Sequence, residues 1–144
     1  MITSIFNKSK TINFIIVFFV TILAFLTARI GTVDYPLNAA YIFKQLAILS
    51  ICTVTVLVFN FIISKNDLTK KNNYEILLFS LFLLLIVETT LKTNILLSNF
   101  FVLLGIRRII SLNSHNNIKN KLFDAALWIA VASLFYFWAI LFFI

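Results

Sequence analysis

The stretch LAILSICTVTVLVFNFII, residues 46–63, decides the fold class of this chain. It runs for eighteen residues without a charged side chain, which is long enough for a helix to cross the hydrocarbon core of a bilayer. In lipid, backbone N–H and C=O groups must be paired inside a helix or a closed barrel. The strict alternation of a barrel strand is absent here, so we predict a transmembrane helix.

One further apolar block precedes this stretch and three follow it, and short polar connectors separate them. We therefore predict an all-α, polytopic transmembrane helical bundle that forms a single domain over residues 1–144. Its spans, about five in number by the length criterion, are expected at approximately 11–28, 46–63, 74–91, 93–112 and 122–144.

The fourth apolar block, residues 95–106, is short for a span, at about 18 Å. It reaches full length if the helix continues through Arg107 and Arg108 to Leu112, and a re-entrant hairpin is the alternative. The last block ends at Ile144 within apolar sequence. This ending predicts that the chain is the N-terminal part of a longer protein.

The composition agrees with a membrane protein. Hydrophobic residues make up 62% of the chain and charged residues only 12%, whereas roughly a quarter of a soluble domain is charged. The mean hydropathy is +1.05. A net charge of +7 would suggest nucleic-acid binding in a soluble protein. Because the basic residues lie in connectors beside apolar blocks, we predict the lipid bilayer as partner and no nucleic acid.

Orientation follows from the distribution of basic residues, which favour cytoplasmic connectors. With the N-terminus in the cytoplasm, nine basic residues fall on inner segments and three on outer ones. The inner ones are Lys8, Lys10, Lys65, Lys70, Lys71, Arg107, Arg108, Lys119 and Lys121. The outer ones are Arg29, Lys44 and Lys92. We predict a cytoplasmic N-terminus.

The single cysteine and the single histidine give no sign of a metal or redox site. Cys52 lies inside an apolar block and is expected to be a small buried hydrophobe. His115 lies in a polar connector without further ligand types around it, so we expect a solvated loop residue. No metal and no cofactor are predicted.

Acidic residues near membrane depth are the first candidates for chemistry, because burying a charge in lipid is costly. Asp34, on the first outer connector, is typical of a helix start, and Glu88 is typical of the outer end of a span. Both are also candidate catalytic residues facing an outer cavity. Glu75 and Asp124 lie in the first turn of their spans, where acids complement the helix dipole.

Two further groups of residues suggest binding. The adjacent Arg107 and Arg108 could clamp a phosphate or lipid headgroup through bidentate hydrogen bonds, or could simply set topology beside anionic lipid. In the last block, Ala126, Ala130 and Ser133 recur at near-helical spacing. Small residues let another helix approach closely, so this face is a candidate contact with other membrane proteins.

Four segments resemble an uncharacterised multi-pass inner-membrane family of Flavobacteria and related Bacteroidota. They are FIISKNDLTK (61–70), YEILLF (74–79), RRIISL (107–112) and KLFDAALW (121–128). The resemblance covers the whole chain and matches the N-terminal half of longer family members. It implies a location in the bacterial cytoplasmic (inner) membrane and carries no activity.

A second likeness is architectural. An acid on the first outer loop, followed by paired apolar helices with short polar loops, resembles multi-span glycosyltransferases that use polyprenyl-phosphate sugars. The resemblance implies a catalytic base at Asp34, although residues 29–38 contain no second acid.

Three functional hypotheses follow. The first is a non-catalytic component of a membrane assembly, and the second is a truncated enzyme of the glycosyltransferase type. The third is a transporter subunit, which requires polar residues that face one another at mid-membrane, with Thr55, Asn60 and Asn99 as candidates. No set of residues specifies catalysis by itself, so the first is preferred.

Overall fold

The computed structural model describes residues 6, 10–30, 38–69, 72–114 and 117–143. Within these ranges every regular element is helical, which confirms the all-α prediction. The α-helices are α1 (Thr11–Thr27), α2 (Ala39–Lys65), α3 (Tyr74–Leu85), α4 (Val87–Leu91), α5 (Thr93–Ile110) and α6 (Ile118–Phe135). Two 3-10 helices, Ser111–Ser114 and Phe137–Phe143, follow α5 and α6.

The helices pack side by side around three groups of buried apolar side chains. The first group joins α1, α2 and α3 and includes Val17, Val56 and Ile76. The second joins α1, α2 and α5 through Phe25, Ile48, Cys52 and Leu96. The third joins α5, α6 and the last 3-10 helix through Val102, Ala132 and Ala139. Cys52 is 1% exposed, which confirms the expected buried position.

Small polar side chains lie inside the bundle beside the apolar core, and many large apolar side chains lie on its outside. Small polar residues are buried, and most of their hydroxyl groups donate to a carbonyl of their own helix, as Thr21 does to Phe18 and Thr55 to Ile51. Large apolar side chains point outward from all the longer helices: Phe19, Phe43, Phe82, Ile109 and Phe123 are exposed. A contiguous apolar exterior of this kind marks contact with a membrane or another protein.

Two helices, Ala39–Lys65 and Thr93–Asn113, are long and apolar enough to cross a membrane. Only 33% and 28% of their most apolar windows are buried inside the bundle, whereas the core helix of a soluble protein is mostly buried. Both also lie far from the N-terminus, where a signal sequence would be. These two helices therefore indicate membrane association.

The fourth block is one helix. α5 runs unbroken from Thr93 to Ile110 and passes through Arg107 and Arg108, so this block is a continuous helix, and a full crossing over 93–112 stays a prediction. The two arginines lie in its last turn, where positive charge complements the helix dipole.

Two other predicted spans differ from continuous helices. The segment 74–91 is interrupted at Ile86, with φ −98° and ψ 78°, between α3 and α4. The hydroxyl groups of Thr89 and Thr90 donate to the carbonyls of Ile86 and Val87, and such local bonds compete with regular helix. The last block is interrupted at Tyr136, which is extended, in a run of aromatic residues with modest helix propensity.

Candidate functional site

One end of the bundle is organised by Arg29, in the turn that follows α1. Its Nε donates to Oε1 of Gln45 on α2 at 2.6 Å. One terminal nitrogen donates to the carbonyl of Phe25 at 3.1 Å, and the other to the carbonyl of Thr90 on α4 at 3.2 Å. The guanidinium also lies over the Phe25 ring, 3.7 Å from its centroid. One side chain thus joins α1, α2 and α4.

The surroundings of Arg29 are cationic and polar. Partial burial lowers the pKa of its guanidinium, because the charged form loses hydration, but arginine starts so high that it stays protonated at neutral pH. Beside it lies an open cleft of about 430 Å3, also lined by Tyr41, Lys44, Gln45 and Thr93. The sequence indicated only that Arg29 is an outer basic residue, because its partners lie 16 and 61 residues away.

Of the two candidate catalytic acids, Glu88 is the one that lies within the described residues. Asp34 lies outside the described residues. Glu88 is exposed on α4, and its carboxylate lies 3.3 Å from Nζ of Lys92, one helical turn away. An exposed pair of this kind contributes little to stability. Glu88 does not line the cleft beside Arg29.

At the opposite end, the two adjacent arginines contact different helices. Arg108 forms an ion pair with Asp124 on α6, with 3.0 Å between nitrogen and oxygen. From the sequence, Asp124 was expected only to complement the helix dipole. The Arg107 guanidinium lies 5.1 Å from the centroid of the Phe61 ring on α2. The pair therefore ties α5 to both neighbours at this end.

A second open cleft, of about 560 Å3, lies at this end. Arg108 lines it together with Lys65, Asp67 and Lys121, and Nζ of Lys121 donates to the carbonyl of Ser111 at 2.7 Å. The backbone N–H of Asn73, just before α3, donates to the carbonyl of Phe6, so residue 6 lies where α3 begins. Basic residues predicted on one side of the membrane are therefore neighbours at one end of the bundle.

The small residues of α6 lie on two faces. Ala125 and Ala132 are buried against α5, together with the larger Ile129. The predicted contact residues lie elsewhere: Ala126 and Ser133 are half-buried and Ala130 is exposed. The Ser133 hydroxyl donates to the Ala130 carbonyl at 2.7 Å, so its hydrogen bond lies within α6.

The polar residues considered for transport lie in three separate places. Thr55 is fully buried and donates within its own helix. Asn60 lines a small cavity of about 70 Å3 among α1, α2 and α3. Asn99 lines a different cleft beside α6. They do not face one another along a common path.

Among the described residues, no cluster of three or more His, Cys, Asp and Glu side chains could hold a metal ion; His115 lies outside these residues. No protein-family model matches the chain, and neither a curated protein nor a solved structure is significantly similar to it. The inferences about function therefore come from the contacts of this chain itself.

Proposed function

We propose that this chain is a multi-pass protein of a bacterial cytoplasmic membrane, and that it serves as a non-catalytic component of a membrane assembly. The observation that carries the proposal is the apolar exterior between two polar, basic ends. A bundle with this surface is stable where its exterior is in lipid, because water would face a large apolar area. Membership of the resembled Bacteroidota family is part of the same proposal.

The proposal includes about five crossings, with the helix lengths as support. At 1.5 Å per residue, α1 alone reaches about 26 Å, and α3 with α4 spans about 27 Å. α6 and the following 3-10 helix form the last crossing. Breaks inside a span are tolerated where protein or a cavity supplies partners for the backbone, and both breaks lie beside α5.

Labelling of single cysteines should test the crossings and their direction. In a Cys52→Ala background, cysteines replacing Lys44 or Lys92 are expected to react with a membrane-impermeant maleimide on intact spheroplasts. Cysteines replacing Asn66 or Lys119 should react only after lysis, because the side with more basic residues is cytoplasmic. The reverse pattern would overturn the orientation, and equal labelling of all four would overturn the membrane-spanning arrangement.

The assembly part of the proposal rests on the second small-residue face of α6. Ala125 and Ala132 pack on α5, whereas Ala130 is exposed and Ala126 and Ser133 are half-buried. Small side chains at these three positions would let a second helix approach closely there, and close packing is a main source of helix association in lipid.

A photocrosslinking amino acid at position 130 should test this contact in the native membrane. We expect an adduct of one discrete mass from position 130, and a loss of about tenfold when Ala126→Leu is added, as a lost contact of roughly 1.4 kcal/mol would give. Position 47 is the matched control, because Ala47 is exposed on α2. The same diffuse products from both positions would argue against a partner on α6.

A further inference from the structure

A cleft of about 290 Å3 lies where the two interrupted helices meet the first half of α5. Thr89 of α4 lines one wall and Tyr136, at the break after α6, lines another. Asn99 and Val102 of α5 lie between them. Interrupted helices are tolerated at membrane depth where they line a cavity, and in membrane proteins such segments often form binding sites.

The polar groups of this cleft are neutral and are not all used within the protein. The Thr89 hydroxyl donates to the Ile86 carbonyl, and the Ser98 hydroxyl donates to the Ala132 carbonyl at 3.0 Å. Both oxygens can therefore still accept. The Asn99 side chain, which is half-buried, has no hydrogen-bond partner in the described part of the chain. An amide offers two donor hydrogens and one acceptor oxygen.

The remaining walls are apolar and aromatic. Val102, Ala139, Trp138 and Phe142 line them, and none of the described lining residues is charged. A charged headgroup would lose hydration here without gaining a counter-charge. A molecule with an apolar chain and an uncharged hydroxyl or ester carbonyl matches both parts of the lining.

We propose that this cleft binds an uncharged glycerolipid. The hydroxyl and ester carbonyl groups of the lipid bond to Asn99, and its chain lies against Val102 and Phe142. The ester carbonyls are shared with phospholipids, whereas the free alcohol on the acylated glycerol is replaced by a phosphate ester in every phospholipid. This site is independent of any partner at α6 and goes beyond an assembly role.

Trp138 provides a direct readout of the cleft. The chain has two tryptophans, and Trp128→Phe keeps an aromatic ring stacked on Phe101 while leaving Trp138 as the only one. The full chain is reconstituted in brominated phosphatidylcholine, which quenches tryptophan on contact. Unbrominated dioleoylglycerol is then titrated against dioleoyl-phosphatidic acid, the charged arm, which has the same chains and ester carbonyls but no free alcohol.

Dioleoylglycerol should restore Trp138 fluorescence saturably, while dioleoyl-phosphatidic acid restores it only in proportion to dilution. Asn99→Leu should weaken the effect of dioleoylglycerol about five- to tenfold, as expected for one lost buried hydrogen bond. Asn60→Leu, an asparagine that lines a different cavity, should leave it unchanged. Helical circular dichroism checks folding, and Asn99→Ala is the second variant if leucine disrupts the bundle.

Three results would overturn the proposal. Equal recovery with the two lipids would mean that the cleft recognises no free hydroxyl. Recovery that is linear in dioleoylglycerol would mean dilution of bulk lipid alone. Unchanged saturable binding in folded variants at position 99 would remove Asn99 from the site.

Discussion

Replacing Arg29 with alanine is expected to lower the melting temperature of the detergent-solubilised protein by about 5 to 10 °C. The side chain donates to Gln45, to the Phe25 carbonyl and to the Thr90 carbonyl. Hydrogen bonds to a charged group contribute roughly 1.5 to 3 kcal/mol each, but those of one side chain are not additive. We therefore expect a total loss of about 2 to 4 kcal/mol, measured by thermal unfolding.

Two further variants separate geometry from charge. Arg29→Lys keeps the charge but loses the planar guanidinium that reaches three acceptors. Its melting temperature should therefore be closer to that of the alanine variant than to that of the native protein. Lys44→Ala removes another basic residue of the same cleft. Because Lys44 is exposed, its effect should stay within about 0.5 kcal/mol. A lysine variant as stable as the native protein would mean that charge alone accounts for the role of Arg29.

A double-mutant cycle with Gln45 tests whether the bridge from α1 to α2 is real. Arg29 and Gln45 share a hydrogen bond of 2.6 Å, so the combined alanine variant should lose less than the sum of the two single losses. Residues in one hydrogen-bond network typically show interaction energies of about 0.5 to 3 kcal/mol. Strict additivity would contradict the contact.

The helices could be predicted from sequence because their signal is local. A long apolar block without charges has few alternatives to a helix. The C-terminal end of α2 and both ends of α5 fall within a few residues of the predicted positions, whereas α2 begins earlier, at Ala39. The breaks at Ile86 and Tyr136 could not be predicted, because neither proline nor glycine marks them. At each break the backbone leaves helical geometry within an apolar run that carries no local signal for it.

The candidate sites were harder to predict because they depend on which helices become neighbours. A phosphate or lipid-headgroup contact at Arg107 and Arg108 stays a prediction, and the sequence could not show that Phe61 and Asp124, on different helices, contact one arginine each. α6 carries small residues on more than one face, so the sequence could not say which face packs on α5. The lining of the Asn99 cleft likewise combines three elements that are distant along the chain.

The second large prediction concerns Gly105, where α5 lies close to α6. A Cβ atom placed there would lie 2.9 Å from Cγ1 of Ile129 and 3.5 Å from the carbonyl oxygen of Ala125. Ile129 is 1% exposed, so it has little space to move. Gly105→Ala should destabilise the protein by about 1 to 3 kcal/mol, even though the same change in an exposed helix stabilises by up to about 1 kcal/mol.

A second substitution tests whether contact with Ile129 causes the loss of stability in Gly105→Ala. Ile129→Ala alone should cost about 2 to 5 kcal/mol, because it leaves a cavity. In the Gly105→Ala background it should cost clearly less, since the removed side chain is the one that the new methyl group meets. Reversible unfolding in mixed micelles measures all four proteins. If Gly105→Ala is stabilising, helix propensity outweighs packing, and the two helices lie farther apart than a 2.9 Å contact allows.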